Sequence, residues 1–372
     1  KYWGESFSIR SERIKLILFS GLLILLIVAT NMIGLIFTGM EHSLQVLLAS
    51  AIAYGLIVEI RKEKVDTWLL VAIVAAPLVR YENLAISIPA LNYLAMRRYY
   101  KNTMVAAIFL AVFVCGFSLF LALLGLDLLP ASVNAKSDVV ASGGAVHSIL
   151  DSIKNTLTDR RGVILSISAF VLLAYFLFLS DTKKKKLAIS TIFALCLHFL
   201  AGRYGWYNRY EIYIWTFCLL ILLYFSAPYI KKILEGEEWK VNLAKVLVLT
   251  AAFVVVITPQ YIQALFTLPI ASNNIFEQQY QMHRFVTHYY KKPVAINDLG
   301  YVSYKNDNYV LDLWGLASEK ALDYRRKKSD AEWMNKLCHK NNVNLAMIYE
   351  GWFKDIPDDW IKIAEFLEKQ KL

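Results

Sequence analysis

The sequence predicts a polytopic α-helical membrane protein with a C-terminal extracytoplasmic α/β domain. Hydrophobic residues fill 57% of the 372 positions, and the mean hydropathy is +0.44, values typical of integral membrane proteins. The apolar residues are gathered into long runs until about residue 267, after which short strand-like and helix-like stretches alternate. The division that follows is a helical bundle over 1–266 and a soluble domain over 267–372.

Nine apolar runs lie at 14–38, 43–60, 65–79, 83–96, 103–125, 162–180, 187–201, 211–228 and 242–266. One crossing needs about 20 residues for a hydrocarbon core of about 30 Å. The third and fourth runs reach only roughly 20 Å each at 1.5 Å per residue, which fits a shallow hairpin as well as two crossings. Either way the chain returns to the side it left, so the later topology is unchanged.

The formal charge of +10 would suggest nucleic acid in a soluble protein, but here the basic residues sit in short clusters between apolar runs. Arg10 to Lys15, Arg61 to Lys64, Arg97-Arg98 with Lys101, Lys183 to Lys186, and Lys231-Lys232 with Lys240 all fall on one side if the runs alternate. The positive-inside rule makes that side cytoplasmic, and no nucleic-acid partner is expected. The opposite side receives 39–42, 80–82, a long loop over 126–161, the stretch 198–211 and everything after about 267. The four cysteines, Cys115, Cys196, Cys218 and Cys338, form no C-x-x-C and no disulfide or metal pattern. The chain opens on Lys1 without a signal-peptide layout, so upstream helices are expected to precede it.

In the tail, Glu277 to Tyr290 reads as a polar helix. Pro293 to Asn297 and Tyr309 to Leu313 read as short buried strands bounded by Gly300, Asn306-Asp-Asn308 and Gly315. A helix near 318–340, a strand at Val343 to Tyr349 and a helix near 357–370 complete a small α/β pattern. Asp298, at a strand-to-turn corner, reads as a helix cap rather than a catalytic acid.

Four polar constellations fall on the outer side. Thr38-Gly-Met-Glu41-His42-Ser43 closes the first run, where Ser43 could cap the next helix. Arg80-Tyr-Glu82 stands between the two short runs, and ionisable residues at such depth pair with one another or line a polar cavity. Leu124 to Lys136 opens the long loop, with Pro130 stopping the preceding helix. His198-Phe-Leu-Ala-Gly202-Arg203-Tyr204-Gly205-Trp206-Tyr207-Asn-Arg209-Tyr210-Glu211 joins two apolar runs and packs glycines, aromatics and arginine forks together. Such forks suit phosphate, more so where water is partly excluded. The chain shows no hydrolase triad, Walker loop or metal box.

The phrases Thr38-Gly-Met-Glu41, Arg80-Tyr-Glu82, Leu129-Pro-Ala-Ser-Val-Asn-Ala-Lys136, Gly202-Arg-Tyr-Gly-Trp-Tyr-Asn-Arg-Tyr210, Asn297-Asp-Leu-Gly-Tyr-Val-Ser-Tyr304 and Val310-Leu-Asp-Leu-Trp-Gly-Leu-Ala317 occur in this order. Together they resemble bacterial membrane glycosyltransferases of the GT-C fold, a class that includes protein mannosyltransferases, lipid A aminoarabinose transferases and mycobacterial arabinofuranosyltransferases. The resemblance implies transfer of a sugar from a polyprenyl-phosphate carrier to a glycan, lipid or protein acceptor on the outer face of the bacterial cytoplasmic membrane. It implies membrane lipid as a further partner and no certain cofactor, with a divalent metal left open. In that class the catalytic carboxylate lies in the first external loop. This sequence departs there, so no general base is assigned and one is expected upstream of Lys1. Donor phosphate would be held by Arg203, Arg209 and Lys136, then Arg80 and His198. Tyr204, Trp206 and Tyr207 would pack on sugar or isoprene, with Glu41 and Glu82 as further sugar or lipid contacts. Two rivals are a transporter or scramblase of lipid-linked saccharides, and a non-catalytic envelope-assembly protein.

Overall fold

The structure, a computed structural model, describes residues 12–130, 145–205, 208–235, 259–327 and 329–366. The chain is mostly helical, with a small C-terminal sheet. It divides into two compact units, 1–116 with 149–266 and 117–148 with 267–372.

The first unit is built along one helix. Helices α1 (Glu12–Ala29) and α2 (Met32–Phe37) precede α3 (His42–Lys62). α4 (Thr67–Val79) and α5 (Leu84–Met96) form a hairpin, and α6 (Tyr100–Leu123) follows. α7 (Ala145–Thr158), α8 (Arg160–Phe178), α9 (Thr182–Ala201) and α10 (Ile212–Glu235) complete the set described before residue 236. Among the described residues, α3, α6, α8 and the Ile212–Lys231 part of α10 are long and apolar enough to cross a membrane. The ninth run, 242–266, lies mostly outside the described residues.

The run at 14–38 is not one helix. Asn31 takes a left-handed backbone at φ 50° and divides α1 from α2, a conformation asparagine tolerates better than most residues. The 126–161 stretch is not all loop, because α7 occupies its second half. Ser152 and Thr156 of that helix are buried, while Leu150, Ile153 and Leu157 point outward together with Asp151, Lys154 and Asn155.

The α4–α5 hairpin lies along α3 and is pinned to it at both ends. At its tip, Arg80 pairs with Glu41 at 2.5 Å, and Gln45 Nε2 donates to Asn83 Oδ1 at 3.2 Å. At its foot, Arg97 Nη2 meets the fully buried Glu59 at 2.9 Å, and the Tyr93 hydroxyl donates to the same carboxylate. Glu41 and Glu59 are separated by about 27 Å of helix at 1.5 Å per residue, close to a bilayer core. Within the hairpin, Pro77 lacks the N–H that would bond the Ile73 carbonyl. Ser87 Oγ donates to that carbonyl instead, at 2.7 Å.

The foot also gathers basic residues. Lys183 pairs with Glu63, and Lys186 Nζ donates to Met96 O at 2.6 Å. The clusters at 61–64, 97–98 and 183–186 therefore share one end of α3, and Arg80 stands at the other.

Helix α11 (Pro259–Ile275) begins in the first unit and ends in the second, where π-helical turns follow it at Phe276–Tyr280 and Phe285–Tyr290. Strands β1 (Val294–Ile296), β2 (Val310–Asp312) and β3 (Ala346–Met347) make a parallel sheet in the order β2-β1-β3. β1 is buried on both faces. Ala295 and Leu311 pack on Ala321, Trp333 and Leu337, whereas Val294 and Ile296 pack on Met282 and Val286. The helix expected over 318–340 is two, α12 (Glu319–Arg326) and α13 (Glu332–Lys340). The helix expected near 357–370 is not formed over 357–366. Trp360 N–H closes a turn onto Pro357 O, and its indole N–H donates to Asn335 Oδ1 at 2.6 Å, so side-chain bonds to α13 hold this segment irregular.

Glu59→Ala leaves the Arg97 guanidinium and the Tyr93 hydroxyl facing a buried gap. It is expected to destabilise the unit by about 3 kcal/mol, the usual cost of breaking one side of a buried pair, read as a lower thermal midpoint of the protein in detergent.

Candidate functional site

The tip of the hairpin meets the start of α3 and the segment before α10. Arg80 ends α4 in an extended backbone, and its fork spreads between two carboxylates. Nη1 bonds Glu41 Oε1 at 2.5 Å and Nη2 bonds Glu82 Oε1 at 2.7 Å. Burial pushes the Glu41 carboxyl up, but its own backbone N–H and Arg80 together hold it below the usual range. The Arg80 guanidinium also stands over the Tyr210 ring at 5.8 Å, and Arg209 stands over that ring at 5.5 Å. Two cations thus flank one aromatic ring, an arrangement that cation–π attraction favours.

His42 opens α3 beside this ring, 6.5 Å from it between centroids. It is fully buried, and neither ring nitrogen has a hydrogen-bond partner among the described residues. Gln45 Oε1 and Arg209 Nε are buried and unpartnered in the same way. Buried polar groups are nearly always satisfied, so a cluster of orphans at one place marks a site that wants a ligand.

A second polar system sits behind the 202–211 segment. The Glu211 carboxylate is 1% exposed. Its Oε2 accepts the Gly205 N–H at 2.9 Å, and Arg161 Nε lies 3.5 Å from Oε1. Gly205 has φ +87°, and a Cβ there would fall 2.6 Å from Arg161 Nη1, so only glycine fits. Burial pushes the Glu211 carboxyl up to about 7 against the pull of Arg161 and the Gly205 N–H. Arg161, Leu165, Glu211, Trp215, Gln260 and Tyr261 line a crevice there.

The expected site residues separate as follows. Arg80, Arg209, Glu41 and Glu82 come together around Tyr210. Arg80 is already neutralised by both carboxylates, so it frames the site rather than offering a free charge. Glu41, expected to contact sugar or lipid, bonds Arg80, and Ser43 lies inside the first turn instead of capping it. His198 is buried in an aromatic cage, its Nδ1 3.0 Å from the Tyr213 hydroxyl and its ring edge-on to Tyr204. Tyr204 in turn bonds Thr156 Oγ1 at 2.9 Å, while His198 Nε2 is buried without a partner among the described residues. Arg203 lies in the non-helical segment after α9. Lys136, Trp206 and Tyr207 lie outside the described residues. Among the described residues no group of three or more His, Cys, Asp or Glu is placed to hold a metal ion. Asp298, read as a cap, accepts the Gly300 N–H at the start of the next turn and also the Gln279 amide.

Gln45 and Arg161 were not singled out from the sequence, and His42 and Tyr210 stood within the polar constellations without a role of their own. The available signal was position: His42 adjoins Glu41, and Tyr210 adjoins Arg209.

Residues 273–371 match the family described as Domain of unknown function (DUF8728). No curated protein and no solved structure matches the chain.

Between pH 4.5 and about 7 an unfolded glutamate has lost its proton while Glu211 in the fold keeps it. The folded state then binds more protons, so stability falls as pH rises across that window. The thermal midpoint is expected to drop over this interval, and Glu211→Gln is expected to flatten that part of the profile.

Proposed function

We propose that this chain forms the membrane-embedded body of a GT-C-like glycosyltransferase. It passes a sugar from a polyprenyl-phosphate donor to a glycan, lipid or protein acceptor at the outer face of the bacterial cytoplasmic membrane. The observation that carries the reading is the cluster at the α3 start, where Arg80 and Arg209 flank Tyr210 beside unpartnered His42 and Gln45. Its distance from the basic clusters at the other end of α3 supports an outward position, since the basic end faces the cytoplasm under the positive-inside rule.

The chemistry fits that cluster. An acceptor hydroxyl attacks the anomeric carbon, and the lipid phosphate leaves. Phosphate is a weak base, so its departure needs charge stabilisation more than a proton, and fixed cations in a water-poor crevice supply it. Arg209 is the leading candidate because its Nε is unpartnered and its plane is steadied by Tyr210. Glu41 and Glu82 each bond Arg80 through Oε1, so their second oxygens suit sugar hydroxyls. Both being bound to Arg80, neither is assigned as general base. The apolar side chains exposed along α6 and α8, such as Phe109, Val112, Phe113, Ile167 and Phe170, suit lipid.

One feature favours a second reading, a transporter or scramblase of lipid-linked saccharides. The two short helices α4 and α5 each carry an internal proline and meet at a polar tip, as the broken helices of carriers do.

In proteoliposomes of the intact protein with a polyprenyl-phosphate sugar donor, Arg209→Ala is expected to abolish sugar transfer with membrane insertion unchanged. Arg80→Lys can reach one carboxylate but not both, and a loss on the order of tenfold is expected for one charge-assisted hydrogen bond. Donor that crosses the bilayer with its sugar still attached would favour the second reading, and normal transfer by Arg209→Ala would remove that residue from the site.

A further inference from the structure

The C-terminal unit carries another place where fold and unpartnered chemistry coincide, independent of the transferase reading. In open parallel sheets, small molecules bind outside the carboxyl ends of the strands, at the point where strand order reverses. With the order β2-β1-β3, that point lies between β1 and β3. Asn297 stands there, directly after β1. Its Oδ1 accepts the Tyr349 N–H, from the segment after β3, at 3.0 Å. The side chain is 1% exposed, and Nδ2 has no partner among the described residues. A buried donor left unmet costs about 1–3 kcal/mol, which an acceptor arriving from outside would recover.

The neighbours set the kind of acceptor. Asp298 follows Asn297, partly buried, with its carboxyl pushed up by that burial against the Gln279 amide and the Gly300 N–H that bond it, and pushed further by the charge of Asp312 nearby. Asp312, at the end of β2, accepts the N–H groups of Trp314, Gly315 and Ala317 at 2.8, 3.1 and 2.7 Å. This fixes the loop that carries Trp314, whose ring meets Trp352 edge-on at 4.9 Å. Trp352 remains 36% exposed. Arg325 lies 3.3 Å over the Trp314 ring and donates to its carbonyl, so its charge is committed to that stack. An acidic rim repels phosphates and carboxylates. It favours a neutral ligand that donates hydroxyl hydrogens to carboxylates, accepts from an amide, and offers an apolar C–H face to an indole.

We infer that the carboxyl edge of the C-terminal sheet is a saccharide-binding site. Asn297 Nδ2 donates to a sugar oxygen, Asp298 accepts from sugar hydroxyls, and Trp352 packs against the ring face.

The test uses the whole chain in detergent micelles, titrated with maltohexaose, cellohexaose and an α-linked mannohexaose, with inorganic phosphate and a tryptophan-rich peptide as controls. Binding is followed by calorimetry and by tryptophan fluorescence. At least one saccharide is expected to bind and to shift the fluorescence, and phosphate is not. Asn297→Asp keeps the acceptor for Tyr349 N–H but removes the donor, and Trp352→Ala removes an exposed ring. Each is expected to weaken binding about tenfold, the worth of one hydrogen bond or ring contact, with the thermal midpoint retained. No binding by any of the three saccharides, unchanged affinity in both variants, or binding of phosphate or peptide in their place would overturn the inference. Loss of transfer in Arg209→Ala with saccharide binding intact separates this site from the proposed reaction.

Discussion

A guanidinium at the tip of an apolar hairpin has few ways to be tolerated, and Arg80 takes two at once, one oxygen from Glu41 and one from Glu82. Apolar helices pack by non-directional contact, which fixes neither register nor tilt. The polar bonds do that here. Arg80 to Glu41 sets one end of the hairpin against α3, Arg97 to Glu59 sets the other, and the Asn83–Gln45 bond fixes the rotation of the tip. Even the proline kink is absorbed within the same pair of helices, through Ser87. The position of the Tyr210 ring between Arg80 and Arg209 depends on this frame.

Both polar systems of this unit keep buried groups without hydrogen-bond partners. Around Glu211, Oε2 takes the Gly205 N–H, while Oε1 and Arg161 Nε, 3.5 Å apart, make no hydrogen bond among the described residues. Around Tyr210, a histidine, an amide oxygen and an arginine nitrogen are buried without partners.

The apolar helices were legible because hydropathy alone marks them, and so were the three strands, as short branched runs between turn residues. What escaped has a common cause, dependence on partners far along the chain. The break at Asn31 rests on one left-handed residue in an otherwise apolar run. α7 starts beside a serine- and glycine-containing stretch and buries Ser152 and Thr156, with Thr156 bonded to Tyr204, a partner 48 positions away. Residues 357–366 have helix-compatible composition, yet their tryptophan is claimed by Asn335. In the site, Arg80 and Arg209 could be singled out as phosphate-type forks, but that Glu41 neutralises one of them depends on a contact 39 positions long. Arg161 could not be chosen over its neighbour Arg160 without the buried Glu211 that selects it.

The order of the small sheet has a bearing on how this protein is made. Its middle strand, β1, is the first of the three to leave the ribosome, and both of its neighbours come later, the last at Ala346–Met347. Parallel partners so distant in the chain pair slowly. The small sheet therefore stays incomplete until Met347 has emerged, and a chain that stopped before Ala346 would lack the third strand and leave one edge of β1 unpaired.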